Sequence, residues 1–64
     1  MKDQYIVKVK DAKGIVWAFE GTIQGYPIFT FAHVAKPCLL SLNEARDVEM
    51  KHGHAGETFL IERA

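Results

Sequence analysis

The sequence is poor in the features that usually stabilise or localise a very small protein. It contains one cysteine, Cys38, so no disulfide can form within the chain. Eight basic residues are balanced by eight acidic ones, and neither half has the basic excess that attracts nucleic-acid phosphates. The longest apolar run, residues 15–19, is far too short to span a bilayer. A lone thiol without a signal-peptide core predicts a cytoplasmic location.

The 64 residues predict one small domain, residues 1–64. A chain of this length buries only about 60% of the surface that its unfolded form exposes, which leaves stability marginal. Small domains compensate with disulfides, a metal or association. Because a disulfide is excluded, association with a second copy or with another protein is the simplest remaining source of stability.

One helix is clearly punctuated. Ser41 lies three residues before Glu44, which is the spacing of a capping box, and Gly53 stands where a helix would end. The helix is therefore predicted to run from residue 42 to about residue 52. Its inward stripe is expected to contain Leu42, Ala45, Val48 and His52.

The remainder of the chain alternates in the manner of strands. Ile23 and Tyr26 are expected in a loose connection between two strands, because Gly21, Gly25 and Pro27 bracket that stretch. Pro37 excludes a long helix, so a short turn is predicted at residues 33–36, followed by an extended approach to the helix. The predicted strands are residues 4–10, 15–20, 28–32 and 58–63.

This order, β-β-β-α-β, predicts an α+β fold. A three-stranded antiparallel meander is followed by one helix and by a fourth strand that re-enters the sheet. If the helix runs back against the third strand, the fourth strand lies parallel to the first. A right-handed crossover then gives the strand order 3-2-1-4. The alternative places the fourth strand in the centre of the sheet.

A single helix can cover only one side of such a sheet. The opposite side mixes apolar residues with charges of both signs, where a solvated antiparallel sheet usually shows polar residues. We interpret this side as a partner-binding surface, the alternative being a solvated face with scattered apolar residues. The predicted contact residues are Ile6, Lys8, Val16, Ala18, Ile28 and Leu60, with Ile23, Tyr26 and Met50 as a secondary set.

Catalytic and metal-binding patterns are weak. Cys38 would need a positioned base such as His33 to act as a nucleophile, and the intervening Pro37 and apolar neighbours favour a core position instead. The residue types that suit zinc are present, but their spacing matches no common structural site. We therefore expect no metal, no cofactor and no enzymatic activity. The zinc-compatible residues are His33, Cys38, His52 and His54.

Three stretches resemble small phage and prophage proteins that combine a hairpin, a Ser-Leu-x-Glu-Ala helix start and a closing strand. They are residues 28–30 with Ala35, residues 41–45 and residues 59–62. The second half, from Ser41 through Glu57, is also similar to the small phage inhibitor of bacterial RNA polymerase. The resemblance implies a binder of a host protein in the bacterial cytosol. The balanced charge of this chain departs from an acidic inhibitor.

The leading hypothesis is therefore a non-enzymatic protein-interaction module that acts by dimerisation or by masking a host protein surface. The alternative is a small nucleic-acid-binding module that uses the sheet face with Lys8 and Lys10. Balanced charge and the lack of a basic aromatic motif argue against that alternative.

Overall fold

A computed structural model describes residues 3–53 and 56–64 of the chain. Within these residues, four strands form one sheet and a single helix packs on one side of it, which confirms the predicted α+β fold and the order β-β-β-α-β. The elements are β1 (Tyr5–Lys10), β2 (Val16–Ile23), β3 (Tyr26–Phe31), α1 (Leu42–His52) and β4 (Thr58–Arg63).

The strand order is β3-β2-β1-β4, as predicted, but the direction of the last strand is not. We expected β4 to run parallel to β1, and that prediction is wrong. The two strands are antiparallel over their whole length, from the pair Tyr5–Arg63 to the pair Lys10–Thr58.

The reversal arises in the segment between β3 and α1, residues 33–40, which we call the crossing segment. β3 ends at Phe31, beside Trp17, at one end of the sheet. The crossing segment carries the chain back to the other end, where Tyr5 and Leu40 exchange two backbone hydrogen bonds of 2.7 and 2.9 Å. The helix then returns along the sheet, so β4 must run opposite to β1.

The end of the crossing segment lies between β1 and β2. The pairing of these strands stops at Lys8 and Ala18. One residue further along β2, the C=O of Phe19 accepts a hydrogen bond from the N–H of Cys38 at 2.9 Å instead of bonding to β1. The strands therefore separate, and the extended residues up to Leu40 satisfy their backbone groups in the gap.

The hydrophobic core lies between the sheet and α1. Val7 and Phe19 from the sheet meet Ala45 and Val48 from the helix, all of them buried. The helix contacts β1 and β4, so it covers one half of the sheet more completely than the other. The partly buried residues that complete the core are Tyr5, Phe29, Cys38, Leu40, Phe59 and Ile61.

The hairpin between β2 and β3 is longer than the sequence predicts. We placed Ile23 and Tyr26 in a loose connection, but they face each other as the last pair of the two strands. Gly21 has a φ of 129° at a register shift, so β2 continues through an irregularity instead of ending there. Gln24 and Gly25, with φ of 51° and 83°, make the tight two-residue turn.

The predicted capping box is present at the start of α1. The Ser41 hydroxyl accepts a hydrogen bond from the N–H of Glu44 at 3.2 Å, and the Glu44 carboxylate accepts one from the N–H of Ser41 at 3.0 Å. The bond from the Ser41 N–H to the carboxylate, followed by the interaction with the Ser41 side chain, favours the ionised form and lowers the pKa of Glu44 below its usual value. Two otherwise unpaired amides are thereby satisfied, which defines the first turn of the helix.

Replacing Ser41 by Ala tests the cap. The variant loses the side-chain acceptor and should lose about 1 kcal/mol of unfolding free energy, which corresponds to a melting temperature several degrees lower in so small a domain. Ser41→Asn is the control, because asparagine is an equally good N-cap and should melt with the parent protein. Identical melting of Ser41→Ala and the parent would show that this contact does not stabilise the helix.

Candidate protein-interaction surface

The side of the sheet that faces away from α1, which we call the outer face, carries the six predicted contact residues. Val7 and Phe19 point into the core, so their neighbours along each strand point to the opposite side. Most of the six are half-buried, and Leu60 is 39% exposed. The members are Ile6, Lys8, Val16, Ala18, Ile28 and Leu60.

Ala18 is an exception within this set, because it is fully buried although no helix covers it. It lies between Lys8 and Thr30 in the sheet. The crossing segment runs close by, since the N–H of Lys36 bonds to the side chain of Glu20 on the same face. Ala18 therefore offers no area to a partner, and our expectation of a fully uncovered outer face is corrected at this position.

Glu20 holds the crossing segment against the outer face. Its carboxylate accepts hydrogen bonds from the Thr30 hydroxyl at 2.7 Å and from the Lys36 N–H at 2.8 Å. These bonds lower the pKa of Glu20 below the usual glutamate value of 4.5. The bond from Lys36 is the largest cause, and the bond from Thr30 is the next. The sequence signal was a lone carboxylate at the end of an apolar strand, which by itself does not identify its partners.

The lowered pKa of Glu20 predicts how the stability of the protein changes at acidic pH. A carboxyl whose pKa is lowered by folding stabilises the protein above the unfolded pKa and loses that contribution as the pH falls through the folded pKa. Glu20→Gln should therefore melt at a lower temperature at pH 7, and its melting temperature should fall less steeply than the parent's below about pH 4.5. Parallel pH profiles for the two proteins would contradict this role.

Three charged side chains on the outer face already have partners. The Lys8 Nζ lies 2.9 Å from a carboxylate oxygen of Glu62, and Leu60 stands directly opposite Lys8 in the sheet. A nucleic-acid site would need Lys8 together with Lys10, but Lys8 is engaged and Glu20 shares its face. This arrangement weakens the nucleic-acid hypothesis and leaves a nearly neutral surface.

Four apolar side chains share the outer face with these charges. Cys38 and Leu40 pack into the core, so Leu39 between them points to the outer face, where it is 52% exposed. Because Leu40 pairs with Tyr5, Leu39 lies alongside the next residue of β1, Ile6. We call Ile6, Ile28, Leu39 and Leu60 the outer patch. Leu39 was missed in the sequence because its segment shows no periodic pattern.

The secondary contact residues lie in two separate places. Ile23 and Tyr26 face each other at the tip of the β2–β3 hairpin, 63% and 73% exposed, on the same side as Ile28. They extend the outer face toward the hairpin tip. Met50, 83% exposed, lies on α1 at the opposite side of the sheet and cannot join the same contact surface.

The α1 side of the sheet also exposes aromatic rings, where the helix does not cover β2 and β3. Trp17 stacks on Phe31 with ring centres 4.4 Å apart, and Phe31 lies 5.8 Å from the ring of His33. The Trp17 Nε1–H donates to Asp11 at 3.1 Å, which is the main cause of a lowered pKa at Asp11. The adjoining cleft has a volume of about 270 Å³, and its lining includes Phe59.

Within residues 3–53 and 56–64, no three His, Cys, Asp or Glu side chains converge as a metal site would require. His54, one of the four zinc-compatible residues, lies outside the described residues. The absence of a structural metal therefore remains a prediction. Melting curves recorded with and without a strong chelator should coincide, whereas one equivalent of zinc retained through purification would contradict it.

Comparison of the chain with protein-family models, curated proteins and solved structures finds no match in any of the three. The phage-inhibitor resemblance thus remains a prediction. In the part of the chain that the structure describes, no helix has the length and apolar character needed to cross a membrane.

Proposed function

We propose that this chain is a non-enzymatic module that binds another protein through the outer face of its sheet and masks the surface it covers. The observation that carries the proposal is the outer patch, a group of partly exposed apolar side chains on one sheet face. Exposed apolar patches of this kind often mark protein-interaction sites. The phage origin and the bacterial cytosol belong to this proposal as its biological setting.

The charge arrangement supports burial of this face. Removing a charge from water is most costly when it is left unpaired. Lys8 and Glu62 already form a 2.9 Å ion pair, and the Glu20 carboxylate is occupied by Thr30 and Lys36. A partner that covers the outer patch can thus gain apolar burial without leaving these three charged side chains of the same face unpaired.

The perturbed titratable groups support a binding role over a catalytic one. The pKa of Asp11 is lowered mainly by the Trp17 ring N–H and then by backbone N–H groups of its turn. The pKa of Glu20 is lowered mainly by the Lys36 N–H of the crossing segment, and that of Glu44 mainly by the Ser41 N–H of the helix cap. These carboxylates serve the fold, and among residues 3–53 and 56–64 none of them pairs with a nucleophile or a second acid in the way that catalysis uses.

The test begins with capture of partners from a bacterial lysate by the parent chain, followed by purification of the captured protein and titration calorimetry. The binding variant is Ile28→Lys combined with Leu39→Lys, which places two charges in the outer patch. The control is Met50→Lys, a lysine at a more exposed apolar site on α1.

The proposal predicts that the parent and Met50→Lys bind with similar affinity at a fixed stoichiometry, and that the outer-patch variant binds at least about tenfold more weakly. Melting curves must show that all three proteins are folded. Loss of binding in Met50→Lys with retention in the outer-patch variant would transfer the site to the helix and overturn the proposal.

A further inference from the structure

The two edges of the sheet differ in how well they are protected. β4 forms one edge, and its pairing with β1 continues through six residue pairs without a register shift. It contains no proline. β3 forms the other edge and includes Pro27, which lacks a backbone donor. A regular, unprotected edge strand is a template for pairing with another chain.

The hydrogen bonds between β4 and β1 show which backbone N–H and C=O groups of β4 are free to bind another strand at this edge. The N–H of Ala64 donates to the C=O of Gln4 at 2.8 Å. Antiparallel strands alternate between bonded and non-bonded pairs, so the even-numbered residues of β4 bond to β1. The backbone groups of Phe59, Ile61 and Arg63 therefore point away from β1, and no other strand in the described part of the chain pairs with them.

The sequence of β4 is complementary to itself in one antiparallel register. When Leu60 faces Leu60 of a second copy, Phe59 faces Ile61 and Glu57 faces Arg63. Apolar residues thus meet apolar residues, and opposite charges meet at both ends. Phe59, Ile61 and Arg63 also have the backbone groups that point outward. The register that matches the side chains is therefore one in which the two strands can form hydrogen bonds.

The neighbouring register toward the C-terminal end of β4 is less favourable. With Ile61 on the axis, Phe59 would face Arg63, and Leu60 would face Glu62. Both pairs set an apolar side chain against a charge. The sequence therefore discriminates between registers.

We infer that the free edge of β4 binds a second copy of this chain, antiparallel about a two-fold axis at Leu60, so that two four-stranded sheets become one of eight strands. The Glu57–Arg63 contact occurs twice across the axis. Arg63 already lies 2.7 Å from Asp3 in its own chain, and the second carboxylate adds to that contact. This inference goes beyond the proposed function and does not depend on it.

The dimer also brings the two outer patches together. Leu60 lies on the outer face, so the two copies of Leu60 meet on the axis and the patches form one continuous surface. A partner protein would then meet two copies of the outer patch, in which only the Leu60 side chains take part in the contact between copies.

Charge exchange tests the register. Sedimentation equilibrium of the full chain should detect a dimer, and Arg63→Glu or Glu57→Arg alone should weaken it about tenfold by placing like charges opposite each other. The double variant Glu57→Arg/Arg63→Glu should restore parental dimerisation. The double variant still lacks the contact between Asp3 and Arg63 within one chain. Recovery of its dimer affinity therefore reports only on the Glu57–Arg63 contact between the two copies. A parent that stays monomeric at millimolar concentration, or a double variant that remains weak, overturns the inference.

Backbone methylation tests the edge itself. Chemical synthesis can place an N-methyl group on Ile61, whose N–H points outward and takes no part in the β1 ladder. This change should abolish the dimer and leave the monomer folded. The matched control is N-methyl-Phe29, at an outward position of the β3 edge, because β2 and β3 pair through Ala18 and Thr30. Loss of the dimer in the Phe29 variant alone would assign the contact to β3 and contradict the inference.

Discussion

The backbone bonds of the crossing segment hold this fold together. The N–H of Cys38 bonds to Phe19, and Tyr5 and Leu40 bond to each other, so β1 and β2 are joined through a third piece of chain where their own ladder ends. Without these bonds the backbone groups in the gap would lose their partners, which is expensive in a buried setting. The same segment brings two side chains, Cys38 and Leu40, into the core.

The path of this segment has consequences throughout the molecule. It returns the chain to the starting end of the sheet, so α1 begins near Tyr5 and β4 enters antiparallel to β1. It is held through Lys36 and Glu20 to the outer face, the side on which Ala18 is buried opposite α1. The direction of β4 and the presence of Leu39 on the outer face both follow from this one connection.

Local patterns predicted the elements that local interactions define. The capping box at Ser41 gave the correct start of α1, and alternation gave β4 its observed bounds. The direction of β4 and the burial of Ala18 depend on contacts between residues far apart in sequence, which periodicity does not encode. The hairpin was misjudged for a different reason: Gly21 was interpreted as an end of β2, whereas its positive φ allows the strand to continue.

The candidate site divides in the same way. Alternation along the strands correctly placed Ile6, Ile28 and Leu60 on the face opposite α1. Leu39 could not be predicted, because its orientation depends on the insertion of the crossing segment between two strands. The pairing of Lys8 with Glu62 could be anticipated only after the antiparallel register of β1 and β4 was known.

Amide hydrogen exchange measured residue by residue tests the crossing segment most directly. The account predicts that the amides of Cys38 and Leu40 exchange as slowly as that of Leu60, which belongs to the β1–β4 ladder. The Lys36 amide should also be protected, and its exchange should accelerate selectively in Glu20→Gln. Exchange of Cys38 and Leu40 at the rate of an unstructured chain, with Leu60 still protected, would contradict the account.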